Sequence, residues 1–100
     1  MRPDIMDTKI TIHETEEYKD WYLSLSDKKK LQIAGRLDRI EKHGHFGHVE
    51  SLDEKLFELK WKNGLRIYFI RTAKATIVLL LGGLKNAQEK DIKKARLLLR

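Results

Sequence analysis

Charged residues in the second half of the chain have the types and spacing of an anion site. Glu58, Lys60 and Lys62 alternate with apolar Phe57, Leu59 and Trp61 in LFELKWKNGLRIYFI (residues 56–70), and Arg66 follows the Asn63-Gly64 turn. A strand keeps its i, i+2 and i+4 side chains on one face, so these three charges share the face opposite the core, with Glu58 and Lys60 about 7 Å apart. A two-residue turn would set Arg66 opposite Trp61. A three-residue turn, Lys62 to Gly64, sets Arg66 opposite Lys60 and keeps apolar Leu65 opposite Trp61, the pairing a buried face favours. Two readings fit the strip: a cationic floor that grips phosphate, or a solvated sheet face on which Glu58 pairs with a neighbouring cation for about 0.2–1 kcal/mol.

Lys85 adds a further charge in GGLKNAQEKD, between a strand and a helix. Free amides and the positive end of the helix dipole draw anions there. The spacing is neither that of a Walker loop nor that of a dinucleotide fingerprint, so nucleotide binding is not implied. His43, His45 and His48 crowd one glycine-bearing loop, HGHFGH, without a carboxylate or cysteine among them; exposed imidazoles, one of them able to carry a proton, are expected rather than a metal site. On the long helix Gln32, Arg36, Arg39 and His43 trace a polar face, with Asp38 and Glu41 beside it.

The chain that must hold these groups has 100 residues, the size of one domain. It has 21 Lys and Arg against 15 Asp and Glu, a net charge of +6, which fits an acidic or polyanionic partner and equally fits lysine kept for solubility. It has no cysteine, which excludes a disulfide scaffold, a thiol nucleophile and a cysteine zinc site. No apolar run approaches the ~20 residues that span a bilayer and no signal-peptide core is present, so a soluble, cytoplasmic protein is expected.

Periodicity supplies the scaffold. Residues 1–8 show no pattern and are expected to be loosely held. Residues 9–15 alternate as a strand, and Tyr18, Trp21, Tyr22 and Leu25 form one stripe of a short helix. A longer helix over 27–43, capped by Ser26 or Asp27 and ended by Gly44, buries Leu31, Ile33, Ala34, Leu37 and Ile40. Residues 45–51 are expected to be a loop. Asn63-Gly64 marks a hairpin, and ATIVLLLGG marks a strand buried on both faces and stopped by its glycines. A last helix, capped by Asn86 and Glu89, carries Ile92, Ala95 and Leu99 inward, and leaves Leu97 or Leu98 exposed to a partner. The fold class predicted is α+β: an N-terminal strand, an antiparallel helical hairpin packed on a small antiparallel sheet, and a C-terminal helix, in one domain over 1–100.

Two segments, E-L-K-x-x-x-G-L-R-I-Y-F from Glu58 and G-G-x-K-x-x-Q-x-x-D-I-x-x-A from Gly82, make residues 10–100 resemble the RelE/ParE superfamily of bacterial toxins, and within it the HigB-like, phage-derived "addiction module killer protein" branch. The resemblance implies a RelE-like fold and a cognate antitoxin, typically a helix-turn-helix protein, with operator DNA reached only through the antitoxin complex. It implies a ribosome-dependent mRNA endonuclease that needs no metal or cofactor and works by 2′-hydroxyl attack on the adjacent phosphate. It casts Arg66 as phosphate clamp, Lys60 as base or electrostatic stabiliser, Lys85 as acid or stabiliser of the leaving oxygen, and Glu58 as a second base. RNA contacts would extend to Lys62, Arg71, Tyr68, Gln88, Arg36 and Arg39. The chain departs from the family in having Glu58 where some members have a basic strand residue, and Asp91 where they have a tyrosine. The alternative it leaves is a non-nuclease interaction protein: a DNA gyrase inhibitor of ParE type, or an inactive toxin that serves with its antitoxin as operon co-repressor.

Overall fold

The structure, a computed structural model, describes residues 9–99. The expectation for residues 1–8 lies outside them. In chain order the elements are β1 (Thr11–Glu14), α1 (Glu16–Leu23), α2 (Asp27–His43), β2 (Val49–Ser51), β3 (Leu56–Lys60), β4 (Leu65–Ala73), β5 (Thr76–Leu84), a 3-10 turn (Lys85–Ala87) and α3 (Gln88–Leu98). The sheet order is β1-β5-β4-β3-β2; β1 lies parallel to β5 and every other pair is antiparallel. The α+β class holds, with β1 as the parallel addition.

The helical hairpin starts and stops where side chains satisfy free backbone groups. Thr15 Oγ1 accepts from Tyr18 N–H and donates to the Leu80 carbonyl, which ties the start of α1 to β5. Ser26 caps α2, and Gly44 ends it in the left-handed conformation (φ 69°). Ile33 and Ile40 are fully buried as their spacing requires and Leu37 is half-buried, but Leu31 is 74% exposed and Ala34 is exposed as well. Its place in the stripe goes to Arg36, whose long stem covers apolar surface while its head finds carbonyls.

Each face of the sheet has its own core. Beneath α1 and α2 lie Tyr18, Ile33, Ile40, Leu59, Leu65, Ile67, Phe69, Ile77 and Leu79. Beneath α3 lie Leu56, Tyr68, Leu80, Leu81 and Ala95. Full burial of a large apolar side chain contributes about 1.5–3 kcal/mol, so the hairpin side carries most of the stabilisation. The two glycines do not stop β5, which runs on to Leu84. They sit within the strand because both faces are crowded there. A Cβ at Gly82 would run into the Trp21 ring of α1, and one at Gly83 into the Asp91 carboxylate of α3.

Two further expectations give way. Val49–Ser51 is not loop but a short edge strand on β3, which sets Glu50 opposite Glu58. Asn86 does not cap α3: a 3-10 turn intervenes, and Ala87 precedes the helix with no side-chain cap. In α3, Ala95 is buried and Leu97 is 62% exposed. No helix among the described residues is long and apolar enough to cross a membrane.

Candidate anion site

The β3–β4 turn takes the three-residue form. Trp61 N–H donates to the Leu65 carbonyl, Gly64 N–H donates to the Trp61 carbonyl, and Gly64 adopts φ 99°, a conformation that favours glycine. Lys60 and Arg66 are therefore direct cross-strand partners. Lys85 arrives from the end of β5: its N–H donates to the Gly64 carbonyl at 2.8 Å, and its aliphatic stem runs beside Gly64. Lys60, Lys62, Arg66 and Lys85, with His48 and Trp61, line one hollow of about 340 Å3. No carboxylate lines it.

Arg66 is held rigidly. Its side chain is 11% exposed, and Nη1 donates to the carbonyls of Trp61 (3.0 Å) and Leu65 (2.9 Å). Its Nε faces Glu58 Oε2 at 3.7 Å, and the same oxygen accepts from Gln88 Nε2 at 2.7 Å. Glu58 is fully buried and works from beneath, as an anchor for Arg66 rather than as a group open to a ligand. Beside it Tyr68 is also fully buried. Burial first, then the Glu58 charge, pushes the Tyr68 phenol up, so it stays protonated. Glu58 Oε1, Arg66 Nε and Tyr68 Oη make no hydrogen bond, so three under-satisfied polar atoms gather behind the hollow.

Lys60 is paired with Glu50 at 3.3 Å, and His48 Nε2 lies 3.7 Å from the other oxygen of that carboxylate. The Lys60 ammonium, more than the His48 imidazole, holds Glu50 below the usual carboxylate range. Of His48 and Glu50, Glu50 is not singled out by the sequence, and His48 only as one of three loop imidazoles able to carry a proton. Their signal was the alternation of Val49, Glu50 and Ser51, too short to stand out, which forms a strand only because β3 offers it an edge.

The remaining expected RNA contacts divide. Lys62 is exposed at the hollow. Gln88 is engaged by Glu58, and Tyr68 lies under α3 and does not reach the surface. Arg71 stands away from the hollow, with its guanidinium 5.2 Å from the Phe46 ring and 6.0 Å from Phe57. Arg36 is 7% exposed and donates from Nε to Phe46 O (2.8 Å), from Nη2 to His48 O (2.6 Å) and from Nη1 to Lys60 O, while stacking 4.3 Å over Trp61. Its donors are committed to the backbone, so it fastens the His48 loop to the end of β3. Arg39 is exposed on α2. Among the described residues no group of three His, Asp or Glu side chains is arranged to hold a metal ion.

No family model matches the chain. An uncharacterized protein of Haemophilus influenzae is 35% identical over 92 residues, which cover 89% of this chain and 92% of that protein. A chain in the crystal structure of the toxin–antitoxin complex RelBE2 from Mycobacterium tuberculosis superposes with a TM-score of 0.63 at 11% identity, covering 77% of this chain and 92% of that one. A helical hairpin and a C-terminal helix on opposite faces of one sheet therefore have a counterpart of known architecture: the chain belongs to one family with the Haemophilus influenzae protein, and its fold is RelE-like.

Proposed function

We propose that this chain is the toxin of a toxin–antitoxin pair, of the HigB-like branch, and that it is a metal-independent endoribonuclease acting on mRNA at the ribosome. The observation that carries the reading is the convergence of Lys60, Lys62, Arg66 and Lys85 on one hollow built from rigid strands and a tight turn. Cleavage by internal attack needs just such groups. The ribose 2′-oxygen bonds to its own 3′-phosphorus, the bond from phosphorus to the 5′-oxygen breaks, and negative charge builds on the phosphoryl oxygens between the two events. Fixed cations in a hollow partly shielded from water stabilise that charge without reorganising.

Arg66 clamps the phosphate, because a guanidinium grips two oxygens at once and this one is already oriented by Glu58 and two carbonyls. Lys60 stabilises the phosphoryl charge and exchanges Glu50 for the substrate as it does so. His48 is the proton acceptor for the 2′-hydroxyl, with Glu50 in place to stabilise the imidazolium that results. Lys85, exposed at the opposite rim, gives a proton to the leaving 5′-oxygen. The partners of this reading are a cognate antitoxin, the ribosome and mRNA.

Induction of the protein in growing cells, with primer-extension mapping of transcripts, tests the proposal. Cuts within translated codons that vanish in Lys60→Ala and Arg66→Ala support it. Intact transcripts with a DNA-damage response point instead to gyrase, the second reading, which the exposed Leu97 on α3 favours as a protein-contact residue.

A further inference from the structure

The helix α2 has two chemically opposite flanks. On the side toward β1, Asp38 and Glu41 line a groove with Glu14, Ile12 and Tyr18. On the side toward β3, Gln32, Arg36 and Arg39 line a second hollow of about 430 Å3 with Gly47, His48, Lys60, Trp61 and Lys62, and no carboxylate lines it. Asp38 and Glu41 thus sit on the flank away from the arginines, and Asp38 is paired with Lys42. Arg36 and Arg39, three residues apart on α2, both line this hollow, and burial, then the charge of Arg39, lowers the Arg36 pKa. Like charges left together at a concave surface are a site for an anion.

The frame of this second hollow is fixed on two sides. Arg36 fastens α2 to the carbonyls of His48 and Lys60. Asn63 Nδ2 donates to Gln32 Oε1 at 3.0 Å, which ties α2 to the tip of the β3–β4 turn. Moreover, the two hollows adjoin, since His48, Lys60, Trp61 and Lys62 line both. Trp61 packs with the core beneath α2, whereas Arg66 stands over Glu58 on the α3 side. A chain lying in both hollows must pass round the end of β3 from one sheet face to the other. A single strand bends in this way; a duplex, stiff over about 150 base pairs, does not.

We propose that the hollow at Arg39 is a second phosphate subsite, and that single-stranded RNA occupies it and the Arg66 hollow together. The inference rests on the proposed RNA substrate and extends it by a second linkage. Arg39 and Lys62 supply the free cationic donors, Gln32 a neutral one, and Arg36 a fixed charge behind them. The half-buried Trp61 ring, with Arg36 stacked on it, offers an aromatic surface at the corner between the hollows.

The test is equilibrium binding by fluorescence anisotropy, with uncleavable 2′-O-methyl oligouridylates of two and eight nucleotides, measured across a salt series. The full chain is used, wild type and Arg39→Ala; Arg39 is exposed, and a thermal melt verifies that the variant folds as the parent does. The longer strand is expected to bind more tightly and with a steeper log–log salt slope than the dinucleotide. On the longer strand Arg39→Ala is expected to flatten that slope by about 0.7, the value of one phosphate on a single strand, and to leave the dinucleotide unaffected. Equal slopes for wild type and variant on the longer strand overturn the second subsite and leave the Arg66 hollow intact. Equal loss on both lengths, or a duplex bound as tightly as the single strand, overturns it too. If neither length binds, the RNA reading of the first hollow falls with it.

Discussion

The two faces of the sheet are finished in different ways. Beneath α1 and α2 the packing is apolar apart from the buried Tyr18 hydroxyl, which makes no hydrogen bond, and the Arg36 head at one edge, and the ring of Trp21 rests directly on backbone at Gly82. Beneath α3 a smaller apolar cluster gives way, toward the β3–β4 turn, to Glu58, Arg66, Gln88 and Tyr68, and there buried polar atoms go unpaired. An unmade buried hydrogen bond costs about 1–3 kcal/mol. The first face holds the fold together. The second bears more of that cost, at Glu58, Arg66 and Tyr68 against Tyr18 alone on the first, and its charged end is where the hollow opens. Stability and site chemistry are thus assigned to opposite sides of a single layer of strands.

If that division is right, substitutions should separate stability from RNA chemistry. The largest stability loss is expected from Ile33→Ala, about 2–5 kcal/mol in chemical denaturation, with cleavage per folded molecule unchanged. Gly82→Ala drives a methyl group into an aromatic ring and is expected to cost about 1–3 kcal/mol. Gly83→Ala meets only a carboxylate at the end of a side chain that can turn aside, so its cost should be the smaller of the two. A larger loss at Gly83 would break the comparison.

On the charged end, Glu58→Gln keeps the shape and removes the charge. A hydrogen bond to a charged group is worth about 1.5–3 kcal/mol, so a stability change of that size or less is expected, together with a marked fall in cleavage. If Glu58 acts by orienting Arg66, Glu58→Gln combined with Arg66→Lys should cleave no more slowly than Arg66→Lys alone. Additive losses would give Glu58 a role of its own.

The smallest effect concerns Asp91, whose pKa burial raises against the pull of Lys90 and Lys94. A carboxyl with a raised folded pKa binds its proton more tightly when folded, so stability falls as pH rises through the folded value. Asp91→Asn should therefore be more stable than the parent near neutrality, and the gain should disappear below the ordinary aspartate value of about 3.9. A gain that persists in strong acid would mean that packing over Gly83, and not the charge, is responsible.

The sequence carried the hairpin well because its signals are local. Ser26 and Gly44 bound α2 by their own side-chain and backbone chemistry; Asn63-Gly64 marked the hairpin, and the need to keep Leu65 opposite Trp61 chose the register that pairs Lys60 with Arg66. It failed where a residue's environment comes from distant chain. The Gly82-Gly83 pair looks like a strand end until Trp21 and Asp91, far away in sequence, are seen on either side of it. Glu58 alternates like an exposed residue, yet α3 covers it through Gln88. Leu31 and Arg36 exchanged places because three carbonyls from the His48 loop and β3 waited for the arginine head. Glu50 and His48 entered the site only through β2, a strand of three residues that exists by virtue of its neighbour.

The central claim is that cations fixed on the second face drive internal attack by a 2′-hydroxyl. It is tested most directly by the ends of the cleaved RNA, from translating ribosomes supplied with the purified protein. The account expects a 2′,3′-cyclic phosphate facing a 5′-hydroxyl, and no cut where the scissile ribose lacks its 2′-hydroxyl. Cleavage that survives removal of that hydroxyl, or that leaves a 5′-phosphate, would contradict it.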